Sequence, residues 1–170
     1  LYVGRLQARK RLDDLIRACA ALPESLQPKL VIVGDGPERE RLVSLAGLTY
    51  PSTEFAGSKF GPDLAPYFTA ADLFVLPGTG GLAVQEAMSY GLPVLVSDIP
   101  PNREVLDGFG RTFAAGDVAD LRRQLVRALD DLPALEDEAA AAAVSVRSTY
   151  DWDTVADATV GVYEAALGGA

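Results

Sequence analysis

Three short apolar runs, at positions 30–33, 73–76 and 93–96, constrain the fold of this chain most strongly. An unbroken apolar run of about four residues is typical of a strand that is buried on both faces of a sheet. Between the runs, apolar residues recur three or four positions apart, as on one face of a helix. Strands that alternate with helices in this way predict a parallel sheet with helices on both of its faces.

The remaining segments extend this pattern over the whole chain. Further strand patterns lie at 2–3, 53–56 and 111–114. Helical patterns lie at 12–22, 38–46, 62–70, 81–90, 118–132, 134–147 and 153–167. A length of 170 residues suffices for one domain with a core of its own. The sequence therefore predicts a single doubly wound, Rossmann-like α/β domain with a helical C-terminus.

Composition removes several classes of function. The chain has no histidine and a single cysteine, Cys19, which excludes Ser-His-Asp and Cys-His catalysis and an internal disulfide. A formal net charge of −9 argues against a nucleic-acid partner. We expect a cytoplasmic protein, with peripheral contact to the inner face of a membrane in its full-length form. Because the chain begins at Leu1 within a strand pattern, we also expect it to be part of a longer protein.

An acidic triplet, Asp151-Trp152-Asp153, precedes the last helical pattern. Such triplets hold a metal ion beside a sugar diphosphate in some enzymes. An aspartate directly before a helix, however, is a preferred capping residue. We predict that the triplet caps the helix and that the protein uses no metal.

A basic loop follows the first strand pattern. Ligands of open parallel sheets bind beyond the carboxyl ends of the strands, which is where this loop lies. Arg5 offers a planar fork of donors, and Lys10 adds a mobile point charge at the start of the next helix, a pairing that suits a diphosphate. We assign Arg5 and Lys10 to phosphate, and we interpret Arg9 and Arg11 as solvated surface charges.

A glycine-rich loop, PGTGG at 77–81, leads from the strand pattern at 73–76 into a helix. Glycines ahead of a helix expose backbone N–H groups, and the helix dipole attracts an anion. Glu86 lies one and a half turns into that helix, where a carboxylate can accept both hydroxyls of a ribose. The alternative for Glu86 is an ordinary exposed glutamate.

The same glycine loop allows a second interpretation. Gly78, Gly80 and Ala83 fit the dinucleotide-binding fingerprint, and Asp98 lies 20 residues beyond the first of them. An NAD(P)-binding domain of an oxidoreductase is therefore an alternative. Against it, the fingerprint belongs in the first strand-to-helix turn of such a domain, and it leaves the loop of Arg5 and Lys10 without a role.

Four stretches together resemble the C-terminal domain of the group 1 family of retaining glycosyltransferases, which have the GT-B fold. They are GRLxxxK at 4–10, VIVGDGP at 31–37, ADLFVLP at 71–77 and GLAVQEAM at 81–88. GLPV at 91–94 follows at the expected distance, and Asp151-Trp152 resembles the entry to the family's last helix. The similarity covers nearly the whole chain in the right order.

The resemblance implies that residues 1–170 form the donor-binding half of a GT-B enzyme whose N-terminal acceptor domain is absent from this chain. It assigns the catalytic roles to Arg5 and Lys10, which hold the donor diphosphate. It assigns donor binding to a larger set, of which the base-side segment 57–59 is matched least closely: Gly4, Gly57, Ser58, Lys59, Gly80, Gly81, Leu82, Ala83 and Glu86. The implied partners are a nucleotide sugar, the N-terminal domain and, through it, an acceptor lipid or saccharide.

The resemblance also implies the chemistry. Family members retain the configuration of the transferred sugar, need no metal or other cofactor, and are thought to use the leaving phosphate as the base. The fragment alone is then expected to be inactive. One departure stands out, because the family has a glutamate eight residues before Glu86 and this chain has Gly78 there. A non-catalytic nucleotide-sugar-binding module therefore stays open as a further alternative.

Overall fold

A computed structural model describes residues 1–168, so the last two positions of the expected domain lie outside the described residues. Six strands alternate with helices along the chain. The strands are β1 (Tyr2–Val3), β2 (Leu30–Val33), β3 (Thr53–Gly57), β4 (Phe74–Leu76), β5 (Val94–Ser97) and β6 (Arg111–Phe113). All four strand pairings are parallel, as the apolar runs predict.

The strands form two three-stranded sheets, with the orders β1-β2-β3 and β4-β5-β6. The two sheets meet where β4 lies beside β1, because the Val75 N–H donates to the carbonyl of Leu1 at 2.9 Å. The Leu1 amino group in turn donates to the carbonyl of Leu73 at 2.8 Å. The order across both sheets is therefore β3-β2-β1-β4-β5-β6, which is the doubly wound arrangement that the sequence predicts.

Eight α-helices accompany the strands in the described part of the chain. They are α1 (Leu12–Ala20), α2 (Arg39–Thr49), α3 (Ala65–Thr69), α4 (Leu82–Ser89), α5 (Pro100–Leu106), α6 (Val118–Asp130), α7 (Leu132–Thr149) and α8 (Trp152–Gly168). Helix α1 packs against α2 and α6, whereas α4 packs against α5 and α7. These two groups cover the two faces of the sheet, so the predicted fold class is confirmed.

Several element boundaries differ from the sequence-based prediction. Lys10 ends a short 3-10 turn, Ala8–Lys10, instead of opening α1. Leu132 begins α7 and does not continue the face of α6, because the chain turns at Asp131. Helix α5 was not predicted, since Pro100 and Pro101 sit at its start, where proline is tolerated, and its pattern is short.

The core is continuous across both halves of the sheet, and β4 and β5 are buried along their whole length. Helix α8 differs from the others, because its side chains are exposed through residue 167, including Trp152 at 84%. None of the helices within residues 1–168 combines the length and the apolar character needed to cross a membrane.

Truncation of a side chain in β5 tests the placement of the core. Leu95 is fully buried, so Leu95→Ala is expected to lower the free energy of unfolding by about 2–5 kcal/mol, through lost burial and the cavity left behind. Leu48 on α2 is 86% exposed, and Leu48→Ala is the matched control, with a change within about 0.5 kcal/mol. Urea unfolding of both variants measures the difference; equal losses would contradict this core.

Candidate functional site

The winding of the sheet reverses between β1 and β4. From β1 the chain adds β2 and β3 on one side, and it then returns to add β4, β5 and β6 on the other. Loops that leave adjacent strands in opposite directions open a crevice at the carboxyl ends of those strands. The loop after β1 carries Arg5 and Lys10, and the loop after β4 is the glycine-rich segment, so both predicted loops border this crevice.

Backbone contacts with the loop after β2 hold the start of the basic loop. The Gly4 N–H donates to the carbonyl of Val33 at 3.0 Å, and the Leu6 N–H donates to that of Asp35 at 2.9 Å. Gly34 makes this approach possible, because a Cβ there would lie 1.9 Å from the Gly4 carbonyl oxygen. A Cβ at Gly36 would lie 2.3 Å from the carbonyl oxygen of Leu6. Two backbones therefore pack in direct contact here.

The 3-10 turn Ala8–Lys10 binds the glycine-rich loop from the other side. The Lys10 ammonium donates to the carbonyl of Thr79, and Arg9 Nη1 donates to Thr79 Oγ1 at 3.0 Å. Arg9 Nε also donates to Gln7 Oε1 at 3.0 Å. Arg9, which the sequence-based interpretation left as a solvated charge, is thus part of the site. Neither Thr79 nor Gln7 was predicted from the sequence.

The glycine-rich loop and the first turn of α4 present four unpaired backbone donors. The N–H groups of Gly80, Gly81, Leu82 and Ala83 donate to no acceptor within the part of the chain that the structure describes. Gly81 is the N-cap of α4, and no side chain caps this end. Free N–H groups at a helix N-terminus, together with the helix dipole, favour an anion.

The basic residues around the crevice are not neutralised by neighbouring carboxylates. Within residues 1–168, none of Arg5, Arg9, Lys10 and Lys59 forms a salt bridge, although the formal net charge of the chain is −9. Burial, together with the nearby Arg9 guanidinium, lowers the pKa of Lys10 below its ordinary value. A concentration of unpaired positive charge in an acidic chain favours an anionic ligand.

The loops after β1, β2 and β3 enclose a cleft of about 600 Å³. Its walls include Arg5, Asp35 and Phe60, and Phe60 is 78% exposed at the rim. Three more residues of the predicted donor set line it: Gly4, Ser58 and Lys59. Gly57 does not line the cleft; it ends β3, and its carbonyl accepts the Gly34 N–H at 2.8 Å. The structure thus gives Gly57 a supporting place behind the cleft.

Glu86 is on α4 and does not line the cleft of Arg5. It lines a separate depression between α4 and the junction of α7 and α8, together with Arg147 and Trp152. On the helix surface Glu86 lies one turn before Tyr90, whose ring stacks on Phe68 of α3 at 5.2 Å between centroids. Burial raises the pKa of Glu86 above its ordinary value.

A second cavity, of about 480 Å³, opens at the opposite end of the sheet. It is largely apolar and is lined by the amino ends of β2 and β4 together with α1, including Leu15 and Cys19. Ligands of doubly wound sheets bind at the carboxyl ends of the strands, so the crevice with its cations and free N–H groups is the better candidate. Cys19 is buried, and burial raises the pKa of its thiol to about 12, consistent with a packing role.

The acidic triplet caps α8, as predicted. Asp151 Oδ2 accepts from the N–H groups of Asp153 at 3.1 Å and Thr154 at 3.4 Å. Across residues 1–168, no group of three or more histidine, cysteine, aspartate or glutamate side chains is arranged to hold a metal ion.

Comparison with known proteins gives the family of this chain. The family model described as glycosyl transferases group 1 matches residues 1–131. The chain belongs to this family. It is 34% identical over 170 residues to a GDP-mannose-dependent alpha-mannosyltransferase of Mycobacterium tuberculosis, covering 98% of this chain and 43% of that protein. It is 36% identical over 180 residues to a glycogen synthase of the same organism, covering 99% of this chain and again 43% of the relative.

Solved structures of glycosyltransferases share the fold of this group 1 domain. A sucrose-phosphate synthase from Thermosynechococcus elongatus superposes with a TM-score of 0.87 at 26% identity, over 99% of this chain and 45% of that one. HepE from Anabaena, solved in complex with UDP, superposes with a TM-score of 0.85 at 21% identity, over 96% of this chain and 48% of that one. The chain thus spans about half the length of the relatives it matches.

The structure explains why this group 1 chain has glycine at position 78. Gly78 is buried beneath the basic turn, and a Cβ there would lie 2.1 Å from the carbonyl oxygen of Arg9 and 2.7 Å from Lys10 Cα. No side chain fits between these two backbones. The glutamate that the family resemblance implies for this position therefore cannot be accommodated while the two loops remain in contact.

Two buried polar residues behind the glycine-rich loop were missed by the sequence analysis. Ser97 ends β5 and Asn102 lies on α5, with exposed fractions of 1% and 0%. Both side chains donate to the carbonyl of Gly78. The only local signal was a polar residue on each side of the segment 98–101, and such residues are common in loops.

Substitution of Gly78 tests the close approach of the two loops. Gly78→Ala is expected to lower the free energy of unfolding by about 1–3 kcal/mol, because the added methyl group must push the Arg9 backbone away. Gly47 in α2 is the matched control, since no atom lies within 4 Å of a Cβ built there. Gly47→Ala should instead stabilise the chain by about 0.5–1 kcal/mol. Urea unfolding measures both, and a stable Gly78→Ala chain would contradict the observed loop contact.

Proposed function

We propose that this chain is the donor-binding domain of a retaining glycosyltransferase and binds the diphosphate of a nucleotide sugar in the crevice between β1 and β4. The observation that carries the proposal is that two kinds of hydrogen-bond donor lie together. One is a pair of cationic side chains without an acidic partner, and the other is a set of free backbone N–H groups. Arg5 and Lys10 have no acidic partner among residues 1–168, and four free N–H groups lie at the start of α4 on the loop that Lys10 contacts. A diphosphate satisfies both sets.

The two cations have different roles in this proposal. Arg5 is exposed and offers its fork of donors to one phosphate. Lys10 donates to the carbonyl of Thr79 in the free chain, so it exchanges that neutral acceptor for a phosphate oxygen when the nucleotide binds. Burial and Arg9 lower the pKa of Lys10, and a bound anion opposes this shift because it favours the charged ammonium.

The nucleoside lies at one end of the diphosphate, with the ribose between the base and the phosphates. The cleft beside Arg5, with Ser58 and Lys59 on its wall, accommodates the base. We assign the ribose hydroxyls to Glu86, whose carboxylate is on the helix that begins at the phosphate site. The name of the GDP-mannose-dependent relative supports a nucleotide sugar as the donor class.

The chemistry follows from the charge that develops on the donor. When the sugar leaves, negative charge accumulates on the diphosphate, and preorganised cations and backbone dipoles stabilise it. Arg5, Lys10 and the N-terminus of α4 supply this stabilisation without a metal ion. In the retaining reaction that we propose, the leaving phosphate accepts the proton of the acceptor hydroxyl.

We assign the acceptor to a part of the protein outside this chain. Because the chain spans 43% of the length of the two mycobacterial relatives, we propose that an N-terminal domain supplies the acceptor side for a lipid or saccharide. The chain alone then binds the nucleotide and transfers no sugar.

Truncation of the two cations tests the proposal directly. Arg5→Ala and Lys10→Ala are each expected to weaken binding of the nucleoside diphosphate by about 1.5–3 kcal/mol, the range for charge-assisted hydrogen bonds. Binding of the nucleoside itself should not change, because it carries no phosphate. Calorimetry with UDP, GDP and ADP identifies the base, and titrations in EDTA test metal independence.

The control for this experiment is Lys29→Ala. Lys29 pairs with Glu54 at 2.6 Å beside the amino end of β2, so its removal takes away the same charge far from the crevice. It should leave nucleotide affinity within about twofold of wild type, as expected for a screened surface charge. Equal losses for diphosphate and nucleoside, or a preference for NAD or NADP over all three nucleotides, would overturn the proposal.

A double-mutant cycle tests the contact between Glu86 and the ribose. Glu86→Gln should cost about 1–3 kcal/mol of nucleoside diphosphate affinity, and much less with a nucleotide that lacks both ribose hydroxyls. Its effect on stability should have the opposite sign. Since burial raises the pKa of Glu86, ionisation of this carboxyl destabilises the folded chain, and the loss is fully developed above the folded-state pKa. Glu86→Gln should therefore be at least as stable as wild type at pH 7. Additive losses in the cycle would contradict the contact.

A further inference from the structure

A buried hydrogen-bond network lies behind the glycine-rich loop and is not part of the nucleotide site itself. The carbonyl of Gly78 accepts from Ser97 Oγ at 3.0 Å and from Asn102 Nδ2 at 3.1 Å. Asn102 Nδ2 also donates to the carbonyl and the hydroxyl of Ser97, both at 2.9 Å. Ser97 and Asn102 are the two polar residues among the buried residues of the described chain.

The network lowers the stability of the fold compared with apolar side chains that fill the same space. Asn102 Oδ1 is buried and has no hydrogen-bond partner within residues 1–168, and an unpaired buried acceptor is destabilising. An apolar side chain at position 102 avoids that cost but leaves Ser97 as the single side-chain donor to the Gly78 carbonyl within residues 1–168. The presence of two donors for one buried carbonyl indicates that the network serves to hold this carbonyl in one orientation.

The direction of the Gly78 carbonyl determines the direction of the neighbouring peptide groups. A trans peptide bond points its C=O and the following N–H to opposite sides. With the Gly78 oxygen held towards β5 and α5, the Thr79 N–H points towards the basic turn, where it approaches the Arg9 carbonyl at 3.4 Å. The next carbonyl, that of Thr79, then meets the Lys10 ammonium. The network thus sets the orientation of the glycine-rich loop relative to Arg9 and Lys10.

We propose that Ser97 and Asn102 are positioning residues for the nucleotide site. They anchor the Gly78 carbonyl so that the free N–H groups of 80–83 are held opposite the cations of the basic loop before the ligand arrives. The inference rests on the proposed diphosphate site and adds to it the cause of its preorganisation. Without the anchor, the peptide groups of the loop can rotate. The free-energy cost of ordering the loop then weakens binding of the diphosphate.

The first test compares Asn102→Ala with a control that removes an equivalent bond elsewhere. Tyr50 is 2% exposed, and its hydroxyl donates to the partly buried Pro28 carbonyl far from the crevice, so Tyr50→Phe also deletes a side-chain bond to a backbone carbonyl. Both variants are expected to be less stable than wild type. Only Asn102→Ala should bind the nucleoside diphosphate about tenfold more weakly, corresponding to about 1.4 kcal/mol, while its affinity for the nucleoside changes less than twofold.

A ligand-free measurement separates this inference from the proposed function. Exchange of the Thr79 amide hydrogen, which is bonded to the Arg9 carbonyl, should be faster by about tenfold or more in Asn102→Ala than in wild type, and unchanged in Tyr50→Phe. If wild type binds no nucleoside diphosphate but the exchange rates respond in this way, the proposed function fails and the anchor stands. If wild type binds but Asn102→Ala keeps both its affinity and its exchange rates, the anchor is refuted.

A pH profile distinguishes positioning from packing. Asn102→Asp keeps the shape of the side chain but replaces its donors by a carboxyl group that can donate to the Gly78 carbonyl only when protonated. Its diphosphate affinity, divided by that of wild type at each pH, should therefore recover as the pH falls from 8 to 5. A flat ratio would contradict the anchor. Ser97→Ala is the second variant in case Asn102→Asp does not fold; its smaller loss should again be confined to ligands with phosphate.

Discussion

Direct contact between the backbones of three loops is the constraint on which this site depends. The loop after β1 lies against the loop after β2 on one side and the loop after β4 on the other. Each contact occurs at a glycine, because a Cβ at Gly34 would meet the Gly4 carbonyl oxygen at 1.9 Å, and one at Gly78 would meet that of Arg9 at 2.1 Å. The absence of side chains at these points lets the basic loop lie directly against the glycine-rich loop.

The same constraint has a chemical consequence. Where the resemblance to group 1 glycosyltransferases implies a glutamate, a side chain cannot be accommodated, and the loop meets Arg9 and Lys10 instead. The polar surface that replaces it consists of the Thr79 hydroxyl, the Arg9 guanidinium and the Gln7 amide. A donor sugar bound here meets hydrogen-bond donors in place of a carboxylate, so in the proposed function the choice of sugar depends on this loop.

Electrostatics and packing are coupled at the crevice. The chain as a whole is acidic, and the salt bridges within residues 1–168 involve other cations, such as Arg11, which pairs with Asp14, and Arg103, which pairs with Asp98. Among the described residues, no carboxylate forms a salt bridge with Arg5, Arg9 or Lys10. Because Lys10 is partly desolvated, its charge is less screened than that of a surface lysine, and its attraction for a diphosphate is stronger.

The sequence by itself determined the fold class and identified the two loops that border the crevice. The runs at 30–33, 73–76 and 93–96 alternate with helical patterns. Because a strand of a parallel sheet is buried on both faces, such apolar runs indicate strands directly. Arg5, Lys10 and the glycines of 77–81 were also evident, because cations and glycines beyond strand ends have a direct chemical meaning. Capping of α8 by Asp151 followed from local preference alone.

Only the tertiary structure decided which residues meet across the sheet. Arg9 contacts Thr79 from 70 residues away, and Asn102 reaches the Gly78 carbonyl from 24. Periodicity reports on neighbours within one helix or strand, and it contains no information on which loops touch. The packing of β1, β4 and β5 side by side produces three features that the sequence analysis did not find. They are the lack of room for a side chain at Gly78, the separate depression beside Glu86, and the anchor formed by Ser97 and Asn102. These contacts depend on strand order, which local sequence preferences do not specify.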